Sequence, residues 1–344
     1  MKTWFVWVLA LICSWGCFAQ KNDAVVTVAL TGDIMMGTTY PKVQLPPHEG
    51  RQLFVDALPV LKRADLAAGN LEGTLCDSGE TRKKLSDICY AFRTPTTYAP
   101  LLNEAGYDFL SMANNHAFDF GEAGVKSTMD CLNRQGIRYA GIEGFPDRVV
   151  VERNGVRFGL CAFGHNGYTV RHQDLRRARE IVTELVNSCD IVIVSFHGGA
   201  EGSSQSRLPY GTEMFCEEDR GSLREFAHFC IDAGADVVFG HGPHVVRAVE
   251  LYKEHFIAYS LGNFCTPYGM SLAGVLAYAP LLELQLTRDG RFVKGKIHSF
   301  IQHKGIGPRK DASCRAAREM LRLTRLDVPD TPLHIDNQGN VRRK

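Results

Sequence analysis

Side chains that can bind a metal ion or transfer a proton follow five short apolar segments of this 344-residue chain. They are Asp33, Glu72, the run Asn114-Asn115-His116, His197, and His241 with His244. Each apolar segment has the length of a strand, and ligands of open α/β sheets bind beyond the carboxyl ends of the strands. One Asp or His at such a point is usually a turn former or a structural residue. Five such clusters at five strand ends favour a shared metal site.

The chemical types of these side chains indicate which ions would bind. Carboxylate, amide and imidazole groups without a thiolate suit Mn²⁺, Fe or Zn²⁺, and they disfavour copper(I) or an iron–sulfur cluster. The sequence contains no pair of cysteines with the CxxC spacing of a zinc site. We therefore expect a divalent ion held by oxygen and nitrogen atoms.

Strand-like and helix-like segments alternate along the chain and would position these side chains. Strands are predicted at residues 25–30, 65–69, 107–112, 191–196 and 236–239, and helices at 52–64, 97–105, 122–135, 175–187 and 217–233. Asn154-Gly155 predicts a hairpin between residues 149–151 and 156–163, because both central positions of such a turn require positive φ. Later hairpins are predicted within 245–260 and 281–301. This order predicts an α/β fold.

Connections between these segments are short, and no linker rich in Pro, Gly or Ser separates them. We therefore predict one domain at residues 20–305, followed by a C-terminal appendage at 306–344 with a basic helix at 312–324. The chain has 39 Lys and Arg against 38 Asp and Glu, a net charge of +1. Such a balance gives no overall field that would attract nucleic acid, so we expect no nucleic-acid partner.

The first 19 residues have the pattern of a signal peptide for export. Lys2 precedes an apolar run at 4–13, and Ala19 offers a cleavage point before Gln20. The run is shorter than the ~20 residues that a spanning helix needs. We expect an exported protein in the periplasm or attached to the cell envelope. A lipoprotein modified at Cys17 and a chain anchored by its uncleaved signal are the alternatives.

Nine cysteines follow the signal, an odd number for an exported chain, so at least one must stay unpaired. Cys76 and Cys89 flank a polar excursion at residues 77–88. A disulfide across the base of this excursion is one expectation, and free thiols are the other.

Six segments of the sequence, in order, resemble the motifs of the CapA, or poly-γ-glutamate capsule biosynthesis, family. They are TGDIMMG at 31–37, GNLEG at 69–73, ANNHAFDFG at 113–121, SFHGGAE at 195–201, GADVVFGHGPH at 234–244 and YSLGNF at 259–264. That family is similar to the calcineurin-like metallophosphoesterases. The resemblance implies a four-layer α/β/β/α sandwich, a dinuclear metal site and a place in a bacterial surface-polymer system.

The resemblance also implies roles for single residues. Asp33 would bind the first metal ion, Glu72 would bridge two ions, and Asn115 and His197 would bind the second. His241 and His244 would close the site, and His116 would be the general acid. Asn70, Asn114 and Asn263 would contact substrate or, alternatively, bond the backbone at strand and loop ends. Glu201 would contact substrate, act as a partner of His197 or be a solvated loop acid.

Two features depart from the superfamily pattern. The usual Asp-x-His is Asp33-Ile34-Met35 here, so one imidazole ligand is missing, and His241 and His244 are three residues apart where the superfamily has two. The expected cofactors are therefore two divalent ions (Mn, Fe or Zn), with a single ion as the alternative.

Three functions follow from these expectations. The first is a metal-dependent hydrolase or transferase acting on a phosphate ester or amide bond of a surface polymer or its precursor. The second is a non-catalytic subunit that handles an anionic polymer during export. The third is a general periplasmic phosphoesterase. The first two imply an anionic surface polymer as partner, and membrane-bound capsule synthesis or export proteins beside it.

Overall fold

The computed structural model describes residues 25–81, 83, 86 and 89–344. Its strands, in chain order, are β1 (Val26–Ile34), β2 (Leu66–Leu71), β3 (Thr74–Leu75), β4 (Arg93–Thr94), β5 (Phe109–Ser111), β6 (Arg138–Ala140), β7 (Arg148–Arg153), β8 (Val156–Phe163), β9 (Ile191–His197), β10 (Met214–Phe215), β11 (Glu218–Asp219), β12 (Val237–His241), β13 (Val249–Tyr252), β14 (His255–Ala258), β15 (Asn263–Cys265), β16 (Tyr278–Leu286), β17 (Phe292–His303), β18 (Gly307–Lys310), β19 (Leu333–Ile335) and β20 (Asn340–Arg343). Its helices are α1 (Leu58–Leu61), α2 (Ala99–Ala105), α3 (Gly121–Arg134), α4 (Leu175–Val186), α5 (Leu223–Asp232) and α6 (Arg315–Asp327). The predicted α/β class is confirmed.

Two large sheets form the body of the molecule. The first runs in the order β19-β20-β17-β16-β1-β2-β5-β6, with β15 pairing to β1 and β18 to β17. Strand β1 is parallel to β2 and β15 and antiparallel to β16. The second sheet runs β13-β14-β12-β9-β8-β7, and its central strands β12, β9 and β8 are parallel. Parallel neighbours place the carboxyl ends of several strands at one edge of each sheet.

Hydrophobic cores lie on both faces of the first sheet. Val28 of β1 belongs to a core that also contains Ile193 of the second sheet, whereas the next residue, Ala29, belongs to a core that contains Leu132 of α3. Successive side chains of a strand point to opposite faces, so the two sheets share one core, while α1 to α3 cover the far face of the first sheet. Helices α4 and α5 pack against strands of the second sheet.

Most predicted elements are present, and two helices are shorter than predicted. The Asn154-Gly155 hairpin is confirmed, with φ of 52° and 70° and antiparallel pairing of β7 with β8. The helix predicted at 52–64 is a series of turns that ends in α1. The helix predicted at 217–233 begins only at Leu223, because the preceding residues form the hairpin β10–β11.

The C-terminal segment 306–344 contributes to the first sheet. Strands β18 and β20 both pair with β17, and α6 packs against β16 and β17. The predicted basic helix is α6, which is shifted by three residues toward the C-terminus. The export signal predicted at 1–19 lies outside the described residues. Within those residues, none of the helices combines the length and the apolar character needed to cross a bilayer.

The disulfide expected between Cys76 and Cys89 is wrong, since both are free thiols. Backbone hydrogen bonds close the base of the excursion instead: β3 pairs with β4, and the Cys76 amide donates to the Thr94 carbonyl at 3.0 Å. This register places Cys76 beside Thr94. Burial raises the pKa of the Cys76 thiol, which favours the unreactive protonated form.

Candidate metal centre

Neighbouring strands of the first sheet hold the acidic side of the centre. Asp33 near the end of β1 lies opposite Asn70 of β2 and opposite Asn263 of β15. Glu72 follows β2 directly, and its amide donates to the carbonyl of Ile34 at 2.9 Å. Both carboxylates are fully buried.

The second sheet supplies the imidazoles. His197 ends β9 and lies opposite His241, which ends β12. One ligand atom each from Asp33, Glu72 and His197 lie within 4.8 Å of one another, and His241 Nδ1 is 3.4 Å from Asp33 Oδ1. The carboxyl ends of the two sheets therefore meet at one point. We call Asp33, Glu72, His197, His241 and His244 the metal centre.

Several polar atoms of the metal centre are buried without a hydrogen-bond partner among the described residues. They are Glu72 Oε1 and both ring nitrogens of His197 and of His241. The side-chain oxygen of the adjacent Asn115 is in the same condition. An unpaired buried polar group costs about 1–3 kcal/mol, so a cluster of them favours a bound ligand. Carboxylate, amide and imidazole donors fit divalent Mn, Fe or Zn.

His244 lies between the two carboxylates. Its Nδ1 is 3.1 Å from Asp33 Oδ2 and 3.1 Å from Asn263 Oδ1, and its Nε2 is 3.7 Å from Glu72 Oε1. Burial alone would lower the pKa of His244, but Glu72, Asp33 and Glu201 together raise it to about 10. The surroundings thus stabilise positive charge at this position.

The two carboxylates respond to this environment in opposite directions. Burial raises the pKa of Asp33, but His241 and His244 outweigh it and hold that pKa well below its usual range. For Glu72, burial and the nearby Asp33 charge raise the pKa well above its usual range. Two buried acids this close need a positive charge between them if both are to ionise.

Two asparagines orient the acidic side. Asn70 donates from Nδ2 to Asp33 Oδ1 at 2.9 Å, and Asn114 donates to Asn70 Oδ1 at 3.0 Å and to the Leu71 carbonyl at 2.9 Å. Asn70 and Asn114 are fully buried, and Asn263 is buried as well, against His244. Asn70 and Asn263 contact residues of the metal centre, and Asn114 contacts Asn70.

Met35 occupies the position at which the superfamily has a histidine. Its side chain is buried and packs beside Gly73 and Gly269. A thioether is not a ligand that Mn²⁺ or Zn²⁺ prefers. The acidic side of the centre therefore has fewer imidazoles than the side formed by His197 and His241.

His116 lies at the edge of the centre and is fixed by two charged residues. Its Nδ1 is 2.9 Å from Asp119 Oδ2 and 3.3 Å from Lys83 Nζ, and Lys83 is 2.5 Å from Asp119 Oδ1. Asp119 also accepts from the Phe92 amide at 2.7 Å. Burial lowers the pKa of His116, while Asp119 opposes this effect. The contact at Nδ1 leaves Nε2 as the ring nitrogen available to a ligand.

Asn115 and Glu201 connect the centre to this edge. The backbone carbonyl of Asn115 accepts from Lys83 at 2.8 Å and from the Tyr168 hydroxyl at 3.0 Å. Its side-chain Nδ2 donates to Glu201 at 3.4 Å. Glu201 pairs with Arg220 at 2.7 Å and lies 3.8 Å from His244 Nε2. These are the side chains that Glu201 contacts, in place of the expected His197.

Sequence reasoning missed several residues of this region. Asp119 and Lys83 were given no role, although Asp119 stands three residues after His116 in the same motif and could have been noticed. His165 packs its ring 5.9 Å from that of His197 and lies 3.4 Å from the His197 carbonyl. Only its place in the three-dimensional fold marks His165.

A cavity of about 720 Å³ opens over the centre, and we call it the metal cavity. It falls within the range of about 300–1,000 Å³ that is usual for ligand sites. Its lining includes Asn115, His116, Glu201, His244 and Asn263, together with the side chains of Lys83 and Arg220 and the aromatic rings of Tyr90, Phe92, Tyr168 and Phe215.

The family model of the bacterial capsule synthesis protein PGA_cap matches residues 27–268, a span that includes every residue of the metal centre. The chain belongs to this family. The capsule biosynthesis protein CapA of Bacillus anthracis is 28% identical over 294 residues, which cover 76% of this chain and 67% of that protein. The PGA biosynthesis protein CapA of Bacillus subtilis (strain 168) is 26% identical, covering 83% of this chain and 76% of the relative.

Solved structures show where the fold belongs. A novel phosphatase from Mycoplasma pneumoniae superposes with a TM-score of 0.52 at 15% identity, covering 84% of this chain and 95% of that one. A hypothetical protein from Thermus thermophilus superposes with a TM-score of 0.50 at 18% identity, covering 80% of this chain and 99% of that one. The resemblance to the metallophosphoesterase fold is confirmed at the level of the fold.

Proposed function

We propose that this chain is a metal-dependent hydrolase that cleaves a phosphate ester or amide bond of a bacterial surface polymer of the poly-γ-glutamate type, or of its precursor. The observation that carries the proposal is the metal centre itself. Buried carboxylate and imidazole atoms without partners among the described residues converge beside a cavity of about 720 Å³. A stable fold retains such a cluster when a ligand satisfies it.

The chain offers ligands for two ions. Asp33, Glu72, Asn115, His197, His241 and His244 would hold the ions. Bound ions would supply Lewis-acid activation of a water molecule and would neutralise charge on the scissile group. Asn70 and Asn114 orient the Asp33 carboxylate, which makes them positioning residues in this proposal.

His116 is the proposed proton donor. A contact of 2.9 Å between His116 Nδ1 and Asp119 Oδ2 holds the ring, and Nε2 would face the leaving group. Asp119 opposes the lowering of the His116 pKa by burial and by Lys83, and Lys83 contacts both Asp119 and the Asn115 carbonyl. Proton transfer from Nε2 to the leaving oxygen or nitrogen completes bond cleavage.

The family supports the biological setting. The relatives' names refer to capsule and poly-γ-glutamate biosynthesis, so we infer an anionic surface polymer as the substrate class and neighbouring capsule synthesis or export proteins as partners. We infer an exported protein of the cell envelope, with residues 1–19 as its signal. N-terminal sequencing of the envelope fraction should then find Gln20 first, and a chain beginning with Met1 would contradict cleavage.

The test is a turnover assay on the full mature chain. Protein treated with chelator and then reloaded with Mn²⁺ is offered a series of aryl and alkyl phosphates and a γ-glutamyl amide, with His334→Ala as a control because His334 is exposed on β19. We expect turnover that depends on Mn²⁺ and is equal in the control. Metal-loaded wild type that turns over neither class contradicts the hydrolase and favours the non-catalytic polymer-handling subunit.

A further inference from the structure

A second cavity adjoins the metal cavity. It has a volume of about 620 Å³ and we call it the lysine cavity. The two cavities share part of their walls, formed by Ser86, Cys89, Tyr90, Phe92, Gly269, Met270 and Ser271. Each cavity alone is large enough for a small-molecule ligand. The shared residues place the two cavities side by side.

The charged groups of the two cavities differ. Glu201, Glu218 and Arg220 line the metal cavity and are paired with one another. The described lining of the lysine cavity contains Lys42 and Lys304 and no carboxylate. Neither lysine forms an ion pair within the described part of the chain. Among the described residues, the lysine cavity therefore carries two lysines that are not paired with a carboxylate.

The backbone fixes both lysines at the cavity. Lys42 stands in a loop closed by two hydrogen bonds between Thr38 and Gln44, at 3.0 Å and 2.8 Å. Lys304 stands in the turn after β17, where the Gly305 amide donates to the Pro267 carbonyl at 3.0 Å. The segment after Pro267 forms a wall of the same cavity. Two cations on tethered loops are prepared for anionic groups and lose little backbone freedom on binding.

The shared wall connects the lysine cavity to the proposed acid. The Phe92 ring centre is 4.4 Å from that of His116, and the Tyr90 ring stacks on Phe92 at 6.3 Å with an angle of 5° between the planes. A ligand that passes from one cavity to the other crosses these apolar ring faces. Methylene groups pack favourably there, whereas closely spaced charges would lose hydration.

We propose that the lysine cavity is a subsite for a distal part of the substrate, and that its ligand is a chain carrying carboxylates separated by methylene groups. This proposal rests on the proposed function, since it extends the same site. Lys42 and Lys304 bind the carboxylates, Tyr90 and Phe92 contact the methylenes, and the scissile bond lies over the metal centre.

The test measures binding, so it does not depend on turnover. A fluorescently labelled γ-linked decamer of glutamate is titrated with metal-loaded full-length protein, and anisotropy gives the Kd. The variants are the double change Lys42→Gln with Lys304→Gln, and a matched control, Lys62→Gln with Lys294→Gln. Lys62 and Lys294 are exposed and line neither cavity. Metal content and the thermal midpoint confirm that each variant is folded.

We expect the Lys42 and Lys304 double variant to weaken binding by about 5–10-fold, since exposed ion pairs contribute modestly and two of them are lost. The control pair should leave the Kd within about twofold. Added NaCl should weaken wild type more than the Lys42 and Lys304 variant, because screening acts on the charges that this variant lacks.

Two further results would support or overturn the proposal. Inorganic polyphosphate of matched charge should compete poorly, since it has no methylene groups for Tyr90 and Phe92. Equal competition overturns the assignment of a carboxylate chain. Equal loss in both double variants, or no binding by wild type, overturns the subsite. A metal-dependent turnover of small phosphate esters would in that case leave the proposed function intact, so the two failures are distinguishable.

Discussion

Two clusters of charged groups lie largely buried in this protein, and their hydrogen-bonding groups are satisfied very differently. Arg247, which is fully buried, donates two hydrogen bonds to Glu213 at 2.7 Å each and a third to the Gln205 carbonyl at 3.0 Å. Glu213 also accepts from the Ala200 amide at 2.9 Å. In the metal centre, by contrast, both imidazoles of His197 and His241 lack partners among the described residues.

The difference separates structural from functional burial of charge. The Arg247–Glu213 pair is complete within the chain and ties the segment after β9, which carries Glu201, to the chain preceding β13. The metal centre is incomplete within the described chain and is therefore the place where a ligand belongs. Burial of charge alone does not mark a functional site, whereas burial with unused donor atoms does.

The largest expected effect concerns the proposed acid, beside the incomplete cluster. His116→Ala should lower turnover by roughly 10²–10⁴-fold while metal content stays as in wild type, because the proposed role of His116 is to donate a proton and not to bind an ion. The loss should shrink for an aryl phosphate with a weakly basic leaving group, which needs little protonation. Steady-state kinetics measure the loss of turnover, and metal analysis measures the ion content. If His116→Ala also loses its metal, His116 is a ligand and not the acid.

Substitutions in the Arg247–Glu213 pair should change the stability of the folded protein. Arg247→Ala should lower the free energy of unfolding by about 3–5 kcal/mol, because Glu213 is left as a buried charge without its partner. The double change Arg247→Met with Glu213→Leu should recover much of this loss. Urea denaturation measures both. A loss below about 1 kcal/mol in the single variant would remove the distinction drawn here between the two clusters.

A metal ion bound at the metal centre should stabilise the folded protein. Adding Mn²⁺ to chelator-treated protein at about 100 times its Kd should raise the free energy of unfolding by about 2.7 kcal/mol, because the ion binds the folded chain only. The same increment should appear in the Arg247→Ala variant, whose damage is independent of the ion. Thermal denaturation with and without Mn²⁺ provides the comparison, and an unchanged wild-type midpoint argues against an ion in the centre.

The smallest expected effect comes from a single buried acid that belongs to neither cluster. Asp236 accepts from the Val192 amide at 2.7 Å, and burial raises its pKa from 3.8 to about 7. The folded state therefore binds this proton more tightly than the unfolded state does. Its contribution to stability is complete below about pH 4 and is lost as the pH rises toward about 7.

Between about pH 5 and about pH 7, the free energy of unfolding of Asp236→Asn should change less than that of wild type, by on the order of 1–2 kcal/mol. Asparagine keeps the acceptor oxygen and cannot ionise. Urea denaturation at several pH values measures the slope. Asp330→Asn serves as the control because Asp330 is exposed. An identical slope in wild type and in Asp236→Asn excludes Asp236 as its source.

The sequence alone predicts those parts of the fold that depend on residues close together in the chain. Apolar runs with Asp33, Glu72, His197 or His241 at or near their ends identify strand ends, and the resemblance implied the role of each residue. Non-local contacts could not be read in this way. The pairing of β3 with β4, which displaces the expected Cys76–Cys89 bridge, depends on residues about 20 positions apart.

Turn chemistry explains the helix predicted too early at 217. Cys216 and Glu217 adopt φ of 49° and 63° in the β10–β11 turn. Positive φ is usual for Asn and Gly and uncommon for these residue types, so the sequence contained no recognisable turn signal. Of the two partners of His116, Asp119 is local and could have been noticed, whereas Lys83 reaches Asp119 only through the tertiary fold.

The most direct test of the metal centre is the metal content of the purified chain. Wild type, Glu72→Ala, His241→Ala and the exposed control His334→Ala are treated with chelator, reloaded with Mn²⁺, desalted and analysed by mass spectrometry of the elements. We predict one or two ions per chain in wild type and in His334→Ala, and a reduced number in Glu72→Ala and His241→Ala. Wild type that retains no ion, or an alanine variant at Glu72 that retains as many as wild type, would contradict the assignment of this cluster as a metal centre.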